Sequence, residues 1–410
     1  LAQAAQVADR RASFPPPLGP PQAQPAAMAP SKSGVSKFVA QAPRATPRRR
    51  ARGSRTLGGL LLCVLACWLW VQTPSVTPGS TTAFVSSDFL KQALIPAGSL
   101  ALGFALYAMN GDSKTHETAA IVMIYFGAQT GMNLYMKSVL SNIVVDEEEG
   151  LRGIPIGFLL TAIQQFVAFF AFCLFVSGNK LCNSGYQVKR LEKRSDWMAV
   201  ILFSMTFALN IGLNNFSLSM VAISINLIIR SCIPLSTAVS QTLVNKVLGT
   251  QGKEVSGWEW TLMSIGVGFA ALATYCKNAA GGSSGDAAPF LGVACCVASI
   301  FSGALNMVLA GVLGSQLKLN PVDSTGYMAL PAGLVLILPS LMVSHPMGKW
   351  PGFPDMTDWQ VLTEVMARNP GAIIPVLFSG VLSFVYNIMV YTMVHKLSAG
   401  FASFAGNFNK

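Results

Sequence analysis

Charge is what this chain has least of. Only 11% of its 410 residues are Asp, Glu, Lys or Arg, against about a quarter in an average soluble domain. Hydrophobic residues make up 52%, which excludes an ordinary soluble core and reads as a polytopic α-helical membrane protein. Histidine is scarce, and His116, His345 and His395 are scattered. No H-E-x-x-H, P-loop or nucleophile elbow occurs, so no enzyme, metal or cofactor site is expected. The eight cysteines include no C-x-x-C pair and lie mostly in or beside apolar runs; they read as small buried hydrophobes.

The net charge of +11 has a location that removes most of its meaning. Ten of the 28 basic residues lie in residues 1–55, where Asp9 is the one acid, and the rest of the chain is nearly balanced. No basic face with interleaved aromatics is present, so nucleic acid is not an expected partner. No acid occurs between Asp9 and Asp88. Within that stretch Arg44 to Arg55 precede an apolar run at 57–71, too short for a typical span and right for a signal-peptide core. Small residues follow, ending before Phe84. This order resembles the two-part leader of plastids of secondary origin. A signal anchor or secretory signal is the alternative, so plastid envelope and Golgi or ER both stay open. Residues 1–85 are set aside as a targeting leader.

An apolar segment at 93–109 lies in the connection 86–117. Clearer spans are predicted near 118–140, 152–177, 197–214, 218–244, 258–276, 288–314, 327–344 and 371–394, each about long enough to cross roughly 30 Å of hydrocarbon. A further segment begins near Leu397, and the chain stops inside it. The flexible stretch GGSSG at 281–285 divides a first half, 118–280, from a second, incomplete half, 281–410. If 118–140 starts on the cytosolic side, that side receives Lys180, Lys189, Arg190, Lys193, Arg194, Lys246, Lys253 and Lys318. The far side receives Arg152, Lys277, Lys349 and Arg368, which obeys the positive-inside rule. The connection 345–370 reads as a long far-side loop, and Asp146 to Glu149 as a solvated carboxylate run.

Most spans are clean, so their cations stand out. Arg230 lies near the middle of 218–244 and Lys137 toward the end of 118–140. A charge at mid-span costs about 2.5–3.5 kcal/mol on insertion scales and marks a functional site unless it snorkels or pairs. Lys410 closes an otherwise apolar segment. ILFS at 201–204 precedes Arg230 by about one helix, and VLFS at 376–379 precedes Lys410 similarly. Two cations from two halves facing one cavity would suit an anionic, phosphate-bearing substrate.

The stretch NNFSLSMVAISINLIIRSCIP at 214–234 resembles the fourth helix of the triose-phosphate translocator and nucleotide-sugar transporter group, in the drug/metabolite transporter superfamily. The agreement falls on Asn215, Ser217, Val221, Ser224, Arg230 and Pro234, with Arg230 where that group usually has Lys. NLYMK at 133–137 is similar to its first-helix Asn and Lys. Tyr386 and Asn387, then GNFNK at 406–410, are similar to later motifs. The group's sixth-helix arginine corresponds to Asn306. The resemblance implies ten helices in two inverted five-helix halves, here cut within the ninth. It also implies a secondary transporter exchanging phosphorylated sugars or nucleotide sugars for phosphate or nucleotide monophosphate. Arg230 and Lys410 would hold phosphate oxygens, Tyr386, Asn387 and Asn409 the sugar or base, with Asn215 and Lys137 as further candidates. A homodimer in the bilayer belongs to the same expectation. Two other readings stay open: a non-transporting subunit or scaffold, with a filled centre around Arg230, and a carrier of another solute.

Overall fold

The computed structural model describes residues 87–109, 114–140, 142–182, 185–221, 223–248 and 290–407, with breaks at 346, 348–349 and 351 and a few isolated positions between 257 and 272. The expected leader at 1–85, the linker at 281–285, most of the span at 258–276, and Asn409 and Lys410 lie outside these residues.

Among the described residues the regular structure is helical, apart from two short hairpins. In order come α1 (Ser87–Ala108) and α2 (Lys114–Tyr135), continued by a π-helical turn, Met136–Leu140. After the hairpin β1 (Val144–Asp146) and β2 (Leu151–Arg152) follow α3 (Phe158–Leu181), α4 (Arg194–Met220), α5 (Ile223–Ser231) and α6 (Ile233–Leu248). The later elements are α7 (Phe290–Ser315), α8 (Pro321–Met342), β3 (Ser344–His345), β4 (Met356–Thr357), α9 (Asp358–Arg368), α10 (Ile373–Lys396) and α11 (Ala399–Asn407). Six helical stretches are long and apolar enough to cross a membrane: Phe158–Leu181, Arg194–Ser217, Ile225–Val247, Leu291–Ser315, Pro321–Met342 and Pro370–Lys396. The chain is an integral, multi-pass, α-helical membrane protein. The segments at 93–109 and 118–140 also fold as helices, each of 22 residues. They are not among the six; α2 carries Lys114, His116, Glu117, Gln129, Thr130 and Asn133.

Burial shows which helix is central. In Pro370–Lys396, 61% of the most apolar stretch is buried, against 28% in Ile225–Val247. α10 packs on α3, α2, α8 and α7, while α7 also packs on α4 and α6. Close approach depends on small residues, as it does where lipid is as apolar as leucine. A Cβ on Gly326 of α8 would stand 2.4 Å from the Phe172 ring of α3, and one on Gly380 of α10 would stand 2.6 Å from Val167.

One end of the bundle is capped by structure where a loop and a solvated acidic run were expected. The 345–370 connection contains β3, β4 and α9. α9 starts on a capping box in which Thr357 and Gln360 satisfy each other's backbone N–H. Asp358 is fully buried. It accepts the Leu159 N–H at 2.8 Å, capping α3, and holds His345 Nε2 at 2.7 Å. Arg368 pairs with Asp146 and Glu149 at 2.7 Å each and with Glu364 at 2.8 Å, and lies over the Phe353 ring. Asn369 donates to the Val144 carbonyl at 3.0 Å, and the Trp350 indole N–H donates to the Gly153 carbonyl at 3.2 Å. Asp146 and Glu149 of the acidic run are therefore partners of a distant arginine, which a sequence read locally does not reveal, while Glu147 to Glu149 stay exposed as expected.

At the other end the 182–193 connection is fastened to the start of α8. Asn320 caps that helix by accepting the Asp323 N–H at 2.8 Å. Buried Asp323 accepts the Tyr186 hydroxyl at 2.5 Å and the Lys189 N–H at 3.1 Å. Tyr327 donates back to the Lys189 carbonyl at 2.7 Å.

Candidate functional site

The span expected at 218–244 is found as one stretch, Ile225–Val247, with 218–220 belonging instead to the end of α4 and with a break in its helix. α5 ends at Ser231, Cys232 is a turn and α6 begins at Ile233. Pro234 explains it: proline has no N–H to give the Arg230 carbonyl four residues earlier, and its ring crowds that carbonyl. The turn tightens, with Cys232 N–H on the Ile229 carbonyl at 3.1 Å, and helix resumes with Ser236 N–H on the Cys232 carbonyl at 3.0 Å. Irregular backbone at membrane depth needs partners. The partner here is Asn407 of α11, whose amide donates to the Ser231 carbonyl at 2.9 Å.

Arg230 is therefore half-buried, one residue short of a helix break inside the span Ile225–Val247. It lies within electrostatic reach of the Tyr386 hydroxyl on α10 and the Cys296 thiol on α7. The hydroxyls of Tyr386 and Tyr125 share a hydrogen bond. A Cβ on Gly406 would stand 3.0 Å from the Tyr125 hydroxyl, and Gln129 donates to the Gly406 carbonyl at 3.3 Å. A chain of contacts thus runs from Arg230 through Tyr386 of α10 and Tyr125 of α2 to Gly406 of α11, with Cys296 of α7 on another side of the cation. Tyr125, Gln129 and Asn133 of α2 follow at intervals of four, so each neighbours the next on the helix surface, and Lys137 lies beyond them in the π-helical turn. Asn133 and Lys137, at the end of this row, are exposed.

Among the described residues Gln129 Oε1, Asn387 Nδ2, Asn210 Oδ1, Ser324 Oγ and both side-chain atoms of Gln165 are buried without a hydrogen-bond partner, and Gln129 and Asn387 are the two tied to the group around Arg230. Leaving such a group unpaired costs about 1–3 kcal/mol, so an interior with several of them has hydrogen-bonding capacity for something other than protein.

Of the expected site residues, the structure brings Arg230 and Tyr386 together and places Asn387 beside Tyr386, 5% exposed. Asn215 has its amide on the Gly157 carbonyl at 3.0 Å and Thr161 Oγ1 at 3.4 Å, an interhelical tie from α4 to α3. Asn306 donates to the Phe203 carbonyl at 3.0 Å. Asn409 and Lys410 fall beyond the described residues. Tyr125, Gln129, Gln165 and Asn407 were not expected, although the spacing of four from Tyr125 to Lys137 was there to find. A further buried cluster was also missed: Asn226 donates to Asn214 Oδ1, Ser217 Oγ and Cys296 Sγ at 3.3–3.4 Å.

No protein-family model matches the chain. It is similar to UDP-galactose transporter 1 of Arabidopsis thaliana, with 25% identity over 217 residues. That match covers 53% of this chain and 57% of the relative, so the chain spans about half the length of the curated protein it matches. The relative is, by its name, a transporter of a nucleotide sugar and not an enzyme.

Proposed function

We propose that the protein is a secondary transporter for anionic phosphorylated sugars, with nucleotide sugars favoured over sugar phosphates. It would act as a carrier and not as an enzyme. Arg230 carries the reading: a half-buried guanidinium stands at a helix break in an apolar bundle, among Tyr386, Tyr125 and partnerless amides. A guanidinium presents a planar fork of donors to phosphate oxygens, and broken helices with midplane sites recur in secondary transporters. Tyrosine rings and the Asn387 and Gln129 side chains suit the base and sugar. The nucleotide-sugar branch is favoured by the similarity to a UDP-galactose transporter.

In the same proposal Lys410 joins Arg230 on the phosphates, Asn409 and Asn387 contact the sugar or base, and Lys137 guides the anion along α2. The ten-helix arrangement in two inverted halves, rocking to expose the site alternately in exchange for phosphate or nucleotide monophosphate, belongs to it too. An organelle membrane is the proposed location, plastid envelope or Golgi.

Counterflow in liposomes tests the assignment of Arg230. Arg230→Ala should lose uptake of labelled nucleotide sugar by at least 10²-fold, and Arg230→Lys should keep a measurable part of it. Uptake by Arg230→Ala at the wild-type rate would remove Arg230 from the site.

A further inference from the structure

The end of the bundle opposite the Arg368 cap carries an uncommitted set of cations. Lys180, Lys189, Arg190, Lys193, Arg194 and Lys318 are all exposed, and none is in an ion pair among the described residues. The acids interspersed with them are Glu192 and Asp196, with Asp323 buried beneath.

Three observations set this apart from a loosely basic loop. First, the segment is held in place. Tyr186 and the Lys189 backbone are fixed on Asp323, Tyr327 holds the Lys189 carbonyl, and Trp197 Nε1 donates to the Leu191 carbonyl at 3.2 Å. The cations therefore project from a fixed frame, and less backbone freedom is lost when a ligand binds. Second, Lys318 adopts a φ of 51°, the one non-glycine residue of positive φ among those described. A side chain disfavours that conformation, yet a cation is held there, two residues before the Asn320 that shares Asp323 with Lys189. Third, the frame sits at the membrane boundary, because it joins Phe158–Leu181 to Arg194–Ser217. Trp197 packs edge-on against Tyr327 at 5.8 Å and is 46% exposed beside the exposed Met198. Tryptophan and tyrosine at this depth mark the headgroup layer.

We infer that this surface is a binding site for anionic phospholipid headgroups of the leaflet it faces, with Lys189, Arg190, Lys193, Arg194 and Lys318 contacting lipid phosphate and carboxylate and Trp197 anchoring beside the acyl chains. The chemistry fits: clustered cations immediately outside a span attract anionic lipid, about fivefold in affinity per cation. The site is distinct from Arg230 and does not depend on what the protein transports.

Native mass spectrometry of the full chain, released from mixed phosphatidylcholine and phosphatidylserine micelles, tests it. The wild type should retain phosphatidylserine in preference to phosphatidylcholine. The combined variant Lys189→Gln, Arg190→Gln, Lys193→Gln and Arg194→Gln should retain phosphatidylserine at least tenfold less, with phosphatidylcholine unchanged. Lys318→Gly relaxes the backbone while removing a cation, so its expected loss of about fivefold cannot be charged to misfolding. Equal retention of the two lipids by the wild type, or undiminished phosphatidylserine on both variants, would overturn the site. Variants that keep phosphatidylserine but take up an anionic solute more slowly would show a funnel for solute instead, and overturn it equally.

Discussion

Arg230 and Asn407 are far apart in the chain and depend on each other in the fold. Pro234 breaks the helix just beyond Arg230, and the Asn407 amide holds the neighbouring Ser231 carbonyl at 2.9 Å. The position of the guanidinium therefore rests on a side chain from α11. Removing one such donor costs about 1 kcal/mol, or about fivefold in an equilibrium. Asn407→Ala should raise the half-saturating substrate concentration about fivefold while leaving some exchange. Asn407→Asp should lose at least as much as Ala because a carboxylate cannot donate to a carbonyl and repels it, and Asn407→Gln should recover part of the loss. Initial rates against substrate concentration measure this, and wild-type affinity in both Ala and Asp variants would leave Asn407 without a positioning role. Asn387 offers a second handle. Its Nδ2 has no protein partner in a 5% exposed side chain, so Asn387→Leu should be tolerated in thermal melts yet weaken substrate binding. A melt that falls sharply with unchanged binding would mark Asn387 as structural.

The cap is where elements are joined most firmly. Asp358 takes the Leu159 N–H of α3 and the His345 ring at once, fully buried. Asp358→Ala leaves both groups unpaired and should cost about 3 kcal/mol, read as a lowered melting temperature in detergent. Asp358→Asn, which keeps an acceptor, should lose less. Asp146 is different, being a half-buried carboxyl at the edge of the cap. The Glu149 backbone N–H, and then the Arg368 guanidinium, hold it below the usual carboxylate range. A group with a depressed pKa stabilises the fold fully above its unfolded value and loses that stabilisation as pH falls through its folded value. Hydrogen exchange at Glu148 and Glu149, whose amides both rest on Asp146 Oδ1, should thus show undiminished protection at neutral pH. Once corrected for intrinsic rates, protection should fall below about pH 4. Arg368→Gln should shift that loss upward in pH, and protection that is flat through this range would remove Asp146 from the cap.

Across the whole molecule, the helices were legible in the sequence because hydropathy is a local property. A run such as 371–394 shows its character without any knowledge of its neighbours, and it folds as Ile373–Lys396. Arg230 was legible for the same reason, as a cation in an apolar run. What joins the helices was not. Arg368 reaches Asp146 over 222 residues, and Gln129 reaches the Gly406 carbonyl over 277. No window along the chain contains such a pair, so nothing marked Gln129 and 345–370 looked like a loop. The break at Cys232 lay between: Pro234 announced it, but the apolar residues on both sides outweighed one proline in a count of length. The central claim is that these helices surround a site for a phosphate-bearing solute, organised by Arg230. Counterflow into liposomes preloaded with nucleotide monophosphate, using the full-length protein and a panel of labelled UDP-sugars, triose phosphates, amino acids and organic cations, tests it most directly. Accumulation of a nucleotide sugar, or else of a sugar phosphate, is expected, and its loss in Arg230→Ala. Accumulation of only amino acids or cations, or of nothing from a demonstrably folded protein, would contradict it.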